Sequence, residues 1–139
     1  MRLTQAQIAG MIPHAGAMCL LAEVFAADDA SIRCRAVSHR DAANPLRDAS
    51  GLRSICGVEY AAQAMAVHGA LASGGIARPG FLASVRDVVL RVPRLDDVAG
   101  DLVILVRRLL ADSRQLMYEF ELQSDERLLL QGRATVVLQ

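Results

Sequence analysis

Several features that mark particular protein classes are missing from this chain. Its 15 basic and 15 acidic residues balance, and no basic stretch is interleaved with aromatic residues, so the sequence does not indicate a nucleic-acid-binding protein. No apolar run reaches the roughly 20 residues that a membrane-spanning helix needs. The first residues, MRLTQAQIAG, lack the positive start and continuous apolar segment of a signal peptide. We therefore expect a cytoplasmic protein with no nucleic-acid or membrane partner.

Cysteine is also scarce. Cys19, Cys34 and Cys56 are odd in number and widely spaced, and they form no CxxC pair or Cys/His cluster, which argues against a disulfide framework or a zinc site. We expect free thiols and no bound metal or cofactor. The length of 139 residues suits one domain, so we expect a single domain over residues 1–139.

The most distinctive segment is GLRSICGVEYAAQAMAVHG, from Gly51 to Gly69. Apolar or small residues fall on every face of a helical wheel, which is typical of a helix that is covered on all sides. Ser50 precedes the segment and is a suitable N-cap. The pattern predicts one central helix over residues 51–69, enclosed by the rest of the chain.

The remaining segments predict mostly strands. Thr4 can cap a short helix over residues 4–11, and the apolar run from Met18 to Val24 predicts a strand that forms a hairpin with residues 31–38. Four strand-like segments follow the central helix; they are FLASVRDVVLRV (81–92), LVILVRRLLA (102–111), QLMYEFELQ (115–123) and RLLLQGRATVVLQ (127–139). Two strands, one helix and a meander predict an α+β architecture, with an antiparallel sheet curled round the helix.

Glu59 is a carboxylate in the middle of the predicted helix. Burying the charged carboxylate without a partner would cost several kcal/mol of free energy. Glu59 therefore needs either a partner or a function. Gln63 lies four residues after it and Cys56 three residues before it, so the three side chains share a face. Two interpretations follow. Glu59 is either a structural residue, hydrogen-bonded to Gln63 and a neighbouring strand, or a general acid that its apolar surroundings keep protonated.

Three segments resemble those of a known family. IPHAGAMCLLAEV (12–24) is similar to a segment in which a Pro-His pair precedes an apolar strand, ANPLRDASGL (43–52) to the loop before a central helix, and GVEYAAQAMA (57–66) to a helix with Glu followed four residues later by Gln. Over essentially its whole length the chain resembles hotdog-fold beta-hydroxyacyl-acyl carrier protein dehydratases (FabA/FabZ-like). Within these it is most similar to the ApeP-type proteins of aryl polyene biosynthesis.

The resemblance implies the elimination of water from a 3-hydroxyacyl thioester, carried by an acyl carrier protein on its phosphopantetheine arm. Glu59 matches the carboxylate that protonates the departing hydroxyl, and Gln63 matches the glutamine of the helix, which is implied to contact the substrate. Cys56 and Ser54 are implied to contact the substrate near the helix start, where backbone amides polarise the thioester carbonyl. Sites of this family lie at subunit interfaces, so a homodimer, or a heterodimer with a dehydratase paralogue, is implied.

One position departs from the family pattern. Asn44 stands where these dehydratases have the histidine that removes the C2 proton, and a neutral amide can orient a group but cannot act as a base. His39, five residues earlier, is a possible base, whereas His14 and His68 are interpreted as structural. Two other functions stay open. One is a catalytically incomplete subunit that needs a histidine-bearing paralogue, and the other is a hotdog acyl thioesterase.

Overall fold

The computed structural model describes residues 2–14, 16–75 and 80–139. Two helices and seven strands lie in these residues; in chain order they are β1 (Leu3–Thr4), α1 (Gln5–Ala9), β2 (Glu23–Ala27), β3 (Ser31–Ala36), α2 (Gly57–Ala72), β4 (Gly80–Leu90), β5 (Leu102–Ala111), β6 (Gln115–Ser124) and β7 (Arg127–Leu138). Three short 3₁₀ turns lie in the connections, at Gly16–Met18, Ser38–Arg40 and Ser54–Cys56.

The seven strands form one antiparallel sheet in the order β1-β2-β3-β5-β6-β7-β4. Strands β2 and β3 form a hairpin, and β5, β6 and β7 form a meander. The long helix α2 packs against β3, β5 and β6. This architecture confirms the predicted α+β class and hotdog fold. Strand β4 lies at the end of the sheet, where it pairs with β7.

The core lies between α2 and the sheet, because alternate side chains of the strands face the helix. In β6, Tyr118, Phe120 and Leu122 are buried, as the alternation predicts. Gly132 of β7 lies opposite Phe120, and a Cβ at this position would lie 2.7 Å from the ring Cζ of Phe120. The glycine therefore leaves the space that the aromatic ring fills.

The two helix starts were not equally predictable. Helix α1 begins after Thr4, whose Oγ1 accepts the N–H of Gln7 at 3.3 Å while the Gln7 side chain accepts the N–H of Thr4 at 2.9 Å. This reciprocal capping box confirms the predicted N-cap. Helix α2, in contrast, begins at Gly57. The prediction that it begins at Gly51, with Ser50 as its N-cap, is wrong.

A turn at Asp48 accounts for the later start of α2. Asp48 and Gly51 exchange two backbone hydrogen bonds of 3.0 Å, and the Asp48 carboxylate accepts the N–H of Ser50 at 2.7 Å. Gly51 has a φ of 87°, which glycine adopts without strain. Ser50 is therefore part of this turn, and a 3₁₀ turn leads from there into α2. The helix then continues to Ala72, beyond the predicted end at Gly69.

The first predicted strand also begins later than expected, since β2 starts at Glu23. The backbone just before it binds a helix side chain: the Gln63 amide donates to the Met18 carbonyl at 2.6 Å and accepts the N–H of Leu20 at 2.9 Å. The prediction of a strand over residues 18–24 is therefore wrong up to residue 22. Part of the predicted connection after α2, residues 76–79, lies outside the described residues.

Helix α2 is covered by the sheet on one side. Nine of its 16 residues are buried, but a second face borders an open cavity. The prediction of a helix enclosed on all sides is therefore wrong for this chain by itself. Among the described residues, no helix combines the length and apolar character needed to pass through a lipid bilayer.

Candidate active site

An apolar cavity of about 790 Å³ follows the uncovered face of α2. The helix contributes residues three or four positions apart, which is the spacing of one helical face; they include Glu59, Ala62, Ala66 and Gly69. The opposite wall is formed by apolar side chains of β4, β6 and β7; they include Leu82, Leu116, Val136 and Leu138. A cavity with these walls suits an extended apolar ligand.

Glu59 borders this cavity near the start of α2. Its side chain is 38% exposed, and its Oε1 lies 3.3 Å from the Nε2 of His14, whose side chain is 26% exposed. Both residues line the cavity. Glu59 is therefore half-buried and has a histidine partner from its own chain, an arrangement that can hold or move a proton.

Gln63 is fully buried and holds the loop that carries His14. Its two hydrogen bonds go to the backbone of Met18 and Leu20. The interpretation of Glu59 as a structural residue bound to Gln63 therefore does not describe this chain, in which Glu59 contacts His14. A contact between Gln63 and substrate stays a prediction.

Asn44 belongs to a buried polar network beside α2. Its Nδ2 donates to the Ser38 carbonyl at 2.9 Å and to the Tyr60 hydroxyl at 3.1 Å, and its Oδ1 accepts the N–H of Leu46 at 2.9 Å. Burial raises the pKa of Tyr60, so this hydroxyl stays protonated. Asn44 is 6% exposed and is not among the residues that line the cavity. Its predicted catalytic role stays a prediction, and its contacts in this chain are structural ones.

His39 is fully buried against the connection between β4 and β5. Its Nε2 lies 3.1 Å from the carbonyl oxygen of Val98 and 2.9 Å from that of Gly100, so this nitrogen carries the proton. Burial is the main cause that lowers the pKa of His39. The ring faces these carbonyls, and its predicted role as a base stays a prediction.

His68 is buried near the end of α2. Its Nδ1 lies 3.1 Å from the Tyr118 hydroxyl and its Nε2 lies 2.9 Å from the Asp28 carbonyl oxygen, contacts that attach α2 to β6 and to the turn between β2 and β3. Burial also lowers the pKa of His68. These contacts agree with a structural interpretation. In the described part of the chain, no cluster of three or more His, Cys, Asp or Glu side chains is placed to hold a metal ion.

Cys56 and Ser54 lie in the 3₁₀ turn before α2. Burial raises the pKa of the Cys56 thiol, which favours its unreactive protonated form. Ser54 is 2% exposed, and its backbone N–H donates to the Pro93 carbonyl at 3.2 Å, so that amide is already paired. The predicted contacts of both residues with substrate stay predictions.

Sequence reasoning missed two features of this region. One is the role of Tyr60 in the Asn44 network, and the other is the contact between His14 and Glu59. The sequence contained one sign of the contact between His14 and Glu59. A buried side-chain amide at Gln63, one turn after Glu59, needs hydrogen-bond partners. The loop that supplies these partners also carries His14.

Comparisons with known proteins place this geometry in a family. The ApeP-like family, described as ApeP dehydratase, matches residues 6–139. No curated protein matches the sequence significantly. The family match therefore covers both the loop that carries His14 and the helix that carries Glu59.

Solved structures share the fold. The dehydratase heterocomplex ApeI:P from Xenorhabdus doucetiae matches with a TM-score of 0.83 and 24% identity, over 99% of this chain and 91% of that chain. Zebra fish thioesterase superfamily member 2 matches with a TM-score of 0.69 and 15% identity, over 99% of both chains. These likenesses show a hotdog fold that occurs in both dehydratases and thioesterases. The family match distinguishes between dehydratases and thioesterases, and it shows that the chain belongs to the ApeP-like dehydratase family.

Proposed function

We propose that this chain is the acid-bearing subunit of a 3-hydroxyacyl thioester dehydratase. The observation that carries the proposal is the position of Glu59, whose carboxyl group borders the apolar cavity near the start of α2. In the reaction a base removes the C2 proton, the C3–O bond breaks, and Glu59 gives a proton to the departing hydroxyl. Water and an enoyl thioester result, and membership of a dehydratase family supports this reaction class.

The cavity supports an acyl chain as the substrate. It follows α2 from Glu59 to Ala72, a distance of about 20 Å at about 1.5 Å per residue. With C2 and C3 beside Glu59, the rest of the chain would lie along Ala62, Ala66 and Gly69, whose small side chains leave room for it. The phosphopantetheine arm of an acyl carrier protein presents such a chain, and biosynthesis of fatty acid or aryl polyene type is the context that we propose.

A second subunit is the source that we propose for the base. The side-chain amide of Asn44, at the family's histidine position, is engaged at both of its ends. His39 faces two carbonyls, and His68 faces a tyrosine and a carbonyl. A known dehydratase of this fold is a heterocomplex, and we propose that this chain likewise pairs with a dehydratase paralogue that supplies the histidine.

Strand β4 offers the surface for that subunit. It is the end strand of the sheet, and it exposes large apolar side chains; they are Phe81, Leu82, Val89 and Leu90. A long apolar edge strand of this kind pairs readily with another strand. Because Gly80 and Leu82 also line the cavity, a subunit on β4 would lie next to the substrate.

The test is the formation of an enoyl thioester from a short 3-hydroxyacyl carrier-protein substrate, followed by mass spectrometry. We expect no turnover by the purified chain, turnover when a histidine-bearing dehydratase paralogue is added to it, and loss of that turnover when this chain carries Glu59→Gln. Glu119→Gln makes the same chemical change on β6, outside the cavity lining, and is the matched control that keeps the activity.

Other outcomes would contradict the proposal. Turnover by the purified chain alone would make it a complete dehydratase and would direct the search for its base to its own histidines, His39 first. Release of free thiol without enoyl product would indicate a thioesterase. Full activity of Glu59→Gln would exclude the role of Glu59 as the acid, and no enoyl product with any paralogue would exclude the dehydratase function.

A further inference from the structure

The contact between His14 and Glu59 has no part in the reaction as described so far. The Nε2 of His14 lies 3.3 Å from Glu59 Oε1, and both side chains border a cavity whose other walls are mainly apolar. In such surroundings an interaction between a ring N–H and a carboxyl group is stronger than in water. The contact therefore bears directly on how Glu59 holds and releases its proton.

Gln63 holds backbone that follows His14 in the sequence against α2. Gln63 lies one turn after Glu59 on α2, and its amide binds the backbone at Met18 and Leu20. Pro13, immediately before His14, restricts the backbone on the other side. Residues 18–20 are thus attached to α2 one turn after Glu59. The imidazole of His14 lies beside the carboxyl group of Glu59.

The two ring nitrogens of His14 have different surroundings. Nε2 faces Glu59, whereas Nδ1 is buried and has no hydrogen-bond partner within residues 2–14, 16–75 and 80–139. A buried N–H without an acceptor is costly, so the proton of a neutral ring belongs on Nε2.

We propose that His14 is a positioning residue for Glu59: its ring, with a proton on Nε2, holds Oε1 and leaves Oε2 to the substrate. The effect on rate rests on the proposed function. When Glu59 is protonated, Oε1 accepts from Nε2–H and the acid proton sits on Oε2. As that proton passes to the departing hydroxyl, the carboxyl group becomes negative and the contact becomes a charge-assisted hydrogen bond. The contact is therefore stronger in the transition state than in the ground state, which is the condition for raising the rate.

Two variants separate a positioning role from that of a base. The amide of a glutamine can donate to Oε1 but cannot take up a proton at neutral pH, and leucine can do neither. We expect His14→Leu to lower kcat about tenfold to a hundredfold with little change in KM, which is the range for one hydrogen bond to a charged group. His14→Gln should recover most of kcat. Equal loss in both variants would identify a base and overturn the proposal, as would full kcat in His14→Leu.

The tautomer of His14 is measured without substrate. Long-range ¹H–¹⁵N correlation NMR of the full chain near neutral pH distinguishes a proton on Nε2, a proton on Nδ1 and a charged ring. We expect a proton on Nε2, in the neutral or the charged ring, and a ring with its proton on Nδ1 alone would overturn the proposal. If no combination of subunits dehydrates the substrate, the proposed function fails, and this spectrum decides the inference about His14 by itself.

Discussion

Single buried side chains set how this protein responds to acid. His39 and His68 are buried, and burial is the main cause that lowers the pKa of each from its ordinary value of 6.5. The folded chain therefore binds fewer protons at these positions than the unfolded chain does. As the pH falls below 6.5, the unfolded state takes up protons first and is stabilised relative to the folded state.

We predict that the free energy of unfolding decreases as the pH is lowered from about 7.5 to about 5.5, by up to about 1.4 kcal/mol per pH unit for each buried histidine. Urea unfolding at several pH values measures it. His39→Gln, whose amide can still donate to the Gly100 carbonyl, should remove about half of this dependence. The pKa of Asp101 is lowered from 3.8, chiefly by a hydrogen bond from Arg40. Its carboxylate therefore takes up protons at a pH below the range of this experiment. A free energy that does not change over the range would contradict the prediction.

At the scale of elements, the side-chain amide of Gln63 attaches the loop over residues 16–20 to α2. Both ends of the Gln63 side chain bind this loop, in a region where unpaired backbone groups are costly. Gln63 lies one turn after Glu59 on α2, so this attachment lies close to the carboxyl group that borders the cavity.

We predict that Gln63→Leu lowers the free energy of unfolding by about 1–3 kcal/mol, because it leaves the Leu20 N–H and the Met18 carbonyl without partners. Gln63→Glu would bury a carboxyl group beside the Met18 carbonyl oxygen, so its loss should be at least as large as that of Gln63→Leu. Hydrogen exchange at the Leu20 amide, which should become faster in Gln63→Leu, checks the local effect. Unchanged exchange at Leu20 would show that the loop is held by other contacts.

Elements whose pattern is local were predictable from the sequence, and those fixed by distant contacts were not. The apolar alternation in residues 31–38 and the N-cap Thr4 are read within a few residues, so β3 and α1 were predicted. The late start of β2 depends on Gln63, which is 43 residues from Leu20. Before α2, the Leu52 N–H donates to the Asp96 carboxylate, 44 residues away. Among the site residues, Glu59 followed from the helical pattern and the resemblance. Its partner His14 did not, because their contact requires the loop to pass over α2.

For the molecule as a whole, the edge of the sheet predicts assembly. Phe81 is 53% exposed and Val89 is 42% exposed on β4, where the strand has backbone groups free to pair with a second hotdog subunit. We predict that Phe81→Asp with Val89→Asp reduces binding of the dehydratase paralogue at least about tenfold, since each charge would be placed in an apolar contact. Sedimentation velocity with the paralogue measures it.

The matched control for this prediction is Val37→Asp, which introduces the same charge at an exposed valine outside β4. It should leave the association unchanged. Binding by the double variant as tight as that of the wild type would show that the subunits meet on another surface.

Strand β4 is both a free edge of the sheet and, through Gly80 and Leu82, a wall of the cavity. A ligand in the cavity and a subunit on the edge thus contact the same strand. Linkage requires that their effects on each other be equal: the factor by which a bound acyl chain changes the subunit dissociation constant is the factor by which the subunit changes the affinity for that acyl chain. An acyl ligand that tightens assembly would therefore be held more tightly by the assembled protein, and the loaded carrier protein would itself favour formation of the complex that consumes its cargo.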